Sequence, residues 1–204
     1  MSQSTVRALP GFARTWVPFT LAIASFIIST YTFVVTTREP VVDVVLPQQI
    51  RLSVNSNSPE PFSIAFLQPT FVHAGPSQQV EVIESIHLIL TPPGANNTNR
   101  HTVRWRETGT FVQDATSPAI NYRWVGDPAP LLLSRETAQS PLAVFYGDSA
   151  LIWAPGAWRA ELRVTRAAGA PDLHARFTFN ISHEDFDLLN TDDGSYVSLP
   201  IVLE

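Results

Sequence analysis

Hydrolysis, proton transfer and metal binding need particular side chains at particular spacings, and this 204-residue sequence offers four places to look for them. The first is the block Gly147-Asp148-Ser149, with Asp172 and His174 downstream as an acid and a base. The second is a set of five histidines: His73, His87, His101, His174 and His183. No two of them stand at HxH or HxxxH spacing, and with no Cys there is no thiolate to complete a zinc site. One Met and no Cys also exclude a blue-copper ligand set, so no metal or cofactor is expected. His174 alternates onto the same side as Arg176, which makes solvent its expected neighbour.

The third place is the acidic run "SHEDFDLLNTDDGSY". A calcium loop of the EF type needs alternating oxygen ligands, a Gly, and a Glu six residues later. Asn190, Asp192, Asp193 and Gly194 break that spacing. The expectation is a partner-facing tail in which Asp185, Phe186, Asp187, Leu188 and Leu189 mix acids with apolar side chains. It is followed by "YVSLPIVL", a strand able to pair with its own sheet or with another edge. The fourth place is Arg100, Arg104 and Arg106, which either meet lipid headgroups or an acidic partner, or form an ordinary wet strand face.

The longer segment "FYGDSALIW" resembles the nucleophile block of GDSL-type hydrolases. Those enzymes hold a Ser on a strand-to-helix turn of an α/β fold and take Asp and His from late in the chain. The resemblance implies Ser149 as nucleophile with Asp172 and His174 as its partners. The match departs from the family in two ways: one residue separates Asp172 from His174 where the family has two, and the block lies within an all-β pattern. A Gly-Asp-Ser turn between strands is the plainer expectation.

Composition narrows the setting. The net charge is -5, yet residues 38–181 carry 11 Arg against 12 acids, while residues 182–204 carry six acids and no Arg. Neither part offers nucleic acid the basic face that it needs. All 13 basic residues are Arg and none is Lys, a coding bias that points to a GC-rich bacterial genome. That setting lowers the interest of the sequons Asn96-Asn97-Thr98 and Asn180-Ile181-Ser182, which matter only in a glycosylating secretory pathway.

Something must hold these residues in place, and the first such element is Thr15 to Thr37, "TWVPFTLAIASFIISTYTFVVTT", 23 residues without a charge. As a helix it spans a bilayer core of about 30 Å. Pro18 is expected in its first turn, with Arg14 and Trp16 at the interface. Cleavage after Ala22-Ile23-Ala24 would leave a strongly apolar new terminus, so an uncleaved anchor is expected. A long domain follows a short N-terminal segment, which favours the N-terminus inside and the domain outside. Ala22, Ser25, Ser29, Thr32 and Thr36 recur every three or four residues and define one small-and-hydroxyl stripe, a packing face for another transmembrane helix.

After Arg38 the period changes to two. In "AWRAELRVTR", Trp158, Ala160, Leu162 and Val164 alternate with Arg159, Glu161, Arg163 and Thr165. The turn "AAGAPD" leads to "LHARFTFNI", and together these predict an antiparallel hairpin. Further strands are predicted at Val41–Leu46, Ile50–Val54, Phe62–Leu67, Val80–Leu90, His101–Arg106, Ile120–Val125, Leu142–Tyr146 and Tyr196–Val202. Trp105, Trp124, Trp153 and Trp158 are the expected core. The phrase "APGAWRAELRV" resembles the late strand of immunoglobulin-like and fibronectin-like extracytoplasmic modules, which implies an all-β sandwich.

The expected organisation is a cytoplasmic segment at 1–14, a transmembrane helix at 15–37, an extracytoplasmic sandwich at 38–181, and an acidic tail with a possible final strand at 182–204. The expected function is a non-catalytic accessory or scaffolding subunit of a cell-membrane assembly, of the kind found in respiratory or photosynthetic complexes. Its expected partners are the lipid bilayer and other transmembrane subunits. A stand-alone surface module for glycan, peptide or protein is the first alternative, and a membrane-tethered hydrolase the second.

Overall fold

The structure is a computed structural model that describes residues 11–55, 61–95, 99–113, 120–135, 137–191 and 196–204. Its first element is helix α1, Gly11–Thr36. Within it, Trp16–Thr36 is a run of 21 residues of mean hydropathy 1.8, none of it buried. At 1.5 Å per residue that run is about 31 Å long, enough to cross a membrane. The helix starts five residues before the apolar run, so Pro18 lies in its second turn rather than its first. Lacking an N–H, Pro18 leaves the carbonyl four residues back without its helical donor.

The rest is mostly β-sheet, and every strand pairing is antiparallel. The strands are β1 Val41–Val45, β2 Gln49–Asn55, β3 Phe62–Leu67, β4 Thr70–Ala74, β5 Glu81–Thr91, β6 His101–Gln113 and β7 Ile120–Gly126. They continue with β8 Leu131–Leu133, β9 Ala138–Gln139, β10 Leu142–Tyr146, β11 Gly156–Arg166, β12 Leu173–Ile181, β13 Val197–Pro200 and β14 Val202–Leu203. A second helix, α2, covers His183–Thr191.

A small sheet takes the order β1-β4-β9. The large one runs β13-β2-β3-β10-β6-β5-β11-β12-β14, with β7 beside β6 and β8 beside β5. Its two ends are β13 and β14, which are separated in sequence only by Ile201. One short segment thus pairs with β2 at Val197–Pro200 and then with β12 at Val202–Leu203. Backbone bonds from Ile201 N–H to Gln48 O (3.0 Å) and from Glu204 N–H to Arg176 O (3.3 Å) stitch both edges. The result is a sandwich closed like a barrel.

The predicted hairpin is present, with Trp158 opposite Phe179 and Arg159 opposite Thr178. Trp158 is fully buried, stacked on Phe179 at 6.2 Å and edge-on to Trp153 at 5.2 Å. Buried indoles need partners; Trp153 donates to Ser53 O (3.1 Å) and Trp158 to Ala154 O (2.9 Å). Trp105 is buried too, but Trp124 is 56% exposed. Its strand β7 pairs only with β6 among the described residues, so nothing covers it at that edge.

The junction between α1 and the sheets is braced. Gln78 N–H donates to Thr36 O (3.4 Å), and the Gln79 side-chain amide to Thr37 O (3.3 Å). Arg166 donates to Pro40 O (3.1 Å) and forms a buried ion pair with Glu81 at 2.7 Å.

Candidate functional site

Strand β6 passes from one side of the sandwich to the other, and a cleft opens where it turns. Trp105 faces Phe145 and Glu107 faces Val144, so Arg106 is an extra, unpaired residue in the ladder. Such a bulge bends the strand and re-aims its side chain. The cleft, about 790 Å³, is lined by Arg104, Arg106, Glu107, Asp127, Phe62 and Tyr146, with Asp148 and Ser149 at one end. Phe62 and Tyr146 meet edge to face at 5.5 Å.

Glu107 is a fixed wall of this cleft. The Tyr122 hydroxyl donates to its carboxylate at 3.1 Å, and the Tyr146 phenol lines the same cleft. Burial first, and Glu107 second, push both phenols well above their ordinary range, so they remain donors. Behind them, Phe66, Phe111, Tyr122 and Tyr196 form an aromatic cluster with centroids 5.3–6.2 Å apart. The Arg51 guanidinium lies 4.3 Å above the Phe111 ring. Gly109 allows this packing, because a Cβ there would run into the Tyr122 ring.

The Gly147-Asp148-Ser149 block is a turn. Asp148 accepts hydrogen bonds from the N–H groups of Ala150 and Leu151, each at 3.1 Å. Gly147 N–H donates to Ser63 O (2.8 Å), and the Ser63 hydroxyl to Leu151 O (2.7 Å). Ser149 is exposed at the cleft, and no histidine is among the described residues that line it. Asp172 instead pairs with Arg163 at 3.2 Å, and His174 with Glu161 at 2.7 Å. In the pairing order, β6, β5 and β11 lie between β10, which the Ser149 turn follows, and His174's strand β12.

Those pairs belong to a second surface, the wet face of β6-β5-β11-β12. The register sets Arg104, His87, Arg163 and His174 in one cross-strand row. The next row on the same face is Thr102, Ile89, Glu161 and Arg176, and then Thr91, Arg159 and Thr178. Arg100 and Arg159 border a shallow hollow of about 300 Å³ with Arg176, Glu161 and Glu204. Five guanidinium groups therefore share this surface with three acids, Glu161, Asp172 and Glu204. Burial alone would raise the Glu161 carboxyl, but hydrogen bonds from His174 and Arg176 outweigh it and hold the group below its ordinary value. Burial first, then Arg104 and Arg163, lower the His87 imidazole below its ordinary value, against a smaller opposing pull from Asp172.

The other histidines do not converge: His73 is buried on β4 with neither ring nitrogen hydrogen-bonded, and His183 opens α2. No group of three His, Asp or Glu side chains is placed to hold a metal among the described residues. Asp192, Asp193 and Gly194, like Asn96-Asn97-Thr98, lie outside the described residues.

The helix stripe stays on the surface. Ala22, Ser25, Ser29 and Thr32 are exposed, and Thr36 is half-buried with its hydroxyl bonded to Thr32 O at 2.8 Å. The five C-terminal candidates divide. Asp185 closes a capping box with Ser182, whose hydroxyl accepts Asp185 N–H (3.0 Å) while Asp185 accepts Ser182 N–H (3.1 Å). Leu189 is buried and Phe186 packs on the core, while Asp187 and Leu188 face solvent. The pair Ser182 and Asp185, at N-cap spacing, was the sequence signal for this helix. The bulge at Arg106 had no such signal, since it exists only between strands 35 or more residues apart in places.

No family model, curated protein or solved structure matches this chain.

Proposed function

We propose that this chain is a single-pass, N-terminally anchored protein of the cell membrane, with an immunoglobulin-like or fibronectin-like β-domain outside the cytoplasm. It serves as a non-catalytic accessory or scaffolding subunit of a membrane assembly. The observation that carries this reading is the broad cationic face of β6-β5-β11-β12, on the same chain as a helix able to span a bilayer. A flat face with Arg100, Arg104, Arg159, Arg163 and Arg176 suits an acidic protein surface, because guanidinium forks bind carboxylates in pairs. The stripe Ala22, Ser25, Ser29 and Thr32 gives the helix a side on which a neighbouring helix can approach closely.

The test is co-migration in mild detergent. Arg104→Glu with Arg159→Glu should release the partners that wild type retains, while Arg123→Glu, on the exposed edge strand, should keep them. Wild type migrating alone, or charge reversal that changes nothing, defeats the reading.

The cleft favours a second reading, a stand-alone glycan-binding module. Phe62 and Tyr146 supply aromatic edges, Arg106 a donor and Glu107 a fixed acceptor. Titration with soluble oligosaccharides, wild type against Arg106→Ala, separates it from the first.

A further inference from the structure

We infer that the helix-proximal end of the domain rests in the bilayer interface, with Val80 and Leu132 as its apolar contacts; this rests on α1 spanning the membrane. The geometry leaves little freedom. The Gln79 side chain bonds the carbonyl of Thr37, one residue past the end of α1, so its chain neighbour Val80 lies beside the point where the helix leaves the hydrocarbon. Gln78 and Arg166 hold the same junction, to Thr36 and Pro40.

The surface presented there is apolar. Val80 is 55% exposed and Leu132 is 59% exposed. Strand β8 pairs Leu132 with Val82, and Val80 shares the face of Val82 by alternation, so the three side chains adjoin. Val41, 57% exposed, begins β1 four residues after Thr37. Farther along the same face the character changes: Glu84 and then His87, Arg104 and Arg163 succeed the apolar group. An apolar rim that gives way to charge at increasing distance from the helix exit is the profile of a body seated on lipid. Exposed Arg38 at the helix exit and exposed Arg135 in the turn after β8 suit anionic headgroups, with Glu39 the neighbouring acid. The occupant of this end is the bilayer itself, because the helix brings it there.

The sequence has no Cys, so single-cysteine labelling needs no background removal. Full-length Val80→Cys, Leu132→Cys, Ile152→Cys and Phe26→Cys are each labelled with an environment-sensitive fluorophore and reconstituted into vesicles of phosphatidylcholine with phosphatidylglycerol. Nitroxide lipids supply the quencher. Phe26 marks the middle of the helix, and Ile152, 71% exposed in the stretch before β11, marks the opposite end of the sheets. The expected result is strong quenching at position 26 by deep nitroxides and at 80 and 132 by shallow ones, with position 152 bright and red-shifted. Quenching at 26 with 80 and 132 as bright as 152 overturns the seat and leaves the anchor standing. A bright label at 26 overturns the anchor and the seat together.

Discussion

Residues 16–36 and residues 183–203 are equal in length and opposite in chemistry. The first run has a mean hydropathy of 1.8 and has no buried residue. The second is rich in acids, yet it buries Leu189, Val197 and Leu199 and closes the large sheet. Composition alone predicts the reverse. What separates them is arrangement: the apolar residues of α1 point all round the helix, so only an apolar medium satisfies them. Those of the C-terminal run fall at helical spacing in α2 and at alternate positions in β13, with the acids on the other side. Periodicity, rather than average polarity, decides what a segment buries.

The sharpest way to test that contrast is to remove residues 197–204. This strips two buried apolar side chains, each worth about 2–5 kcal/mol when truncated, and uncovers the edges of β2 and β12. Loss of the cooperative melt, with aggregation in light scattering, is expected; a normal melt would mean that the segment only decorates the body. Trp158→Ala comes next, at about 3–5 kcal/mol in chemical denaturation, because a fully buried indole stacked on Phe179 leaves a cavity. Ser182→Ala should cost about 1 kcal/mol through the lost cap of α2, with Ser182→Asp restoring most of it.

A smaller effect is pH-dependent. The Glu161 carboxyl is held below its ordinary value in the folded state, so its contribution is complete above the unfolded pKa, about 4.3, and fades as pH falls through the folded value. Glu161→Gln should therefore lower Tm at neutral pH, and the gap to wild type should narrow in acid. At the other end of the chain, Ser25→Leu with Ser29→Leu should leave the domain's Tm unchanged, since both side chains face outward. Any effect should show in what co-migrates with the protein; a shifted Tm would break the separation between the two ends.

Much of the β-body was legible because alternation is a local property. The hairpin β11–β12 places Trp158, Ala160, Leu162 and Val164 inside and Arg159 and Arg163 outside, as the spacing of two implies. Phe62–Leu67 and Leu142–Tyr146 have the boundaries that the sequence suggests. Where the sequence was silent, the cause was non-local. Strand β4 is only five residues, with a buried His in it, and β8 and β9 are shorter still. Trp124 looks like a core residue until β7 is known to lie at an edge. Three acids in nine residues disguised α2, and the Ser182 and Asp185 capping pair that starts it is visible only as a spacing of three. The cleft depends on a bulge between β6 and β10, and no window of a few residues contains both strands.

The way β13 and β14 close the sheet has a consequence for how the protein is made. Synthesis runs from the N-terminus, and residues 197–203 come after every other strand among the described residues. Until they arrive, β2 and β12 are open edges, each with a row of unpaired N–H and C=O groups. The nascent domain is therefore incomplete, and prone to pair with a neighbour, until that segment emerges. Residues 197–203 act as the latch on a vectorial process, and a ribosome that stalls before residue 197 leaves a sheet that cannot shut.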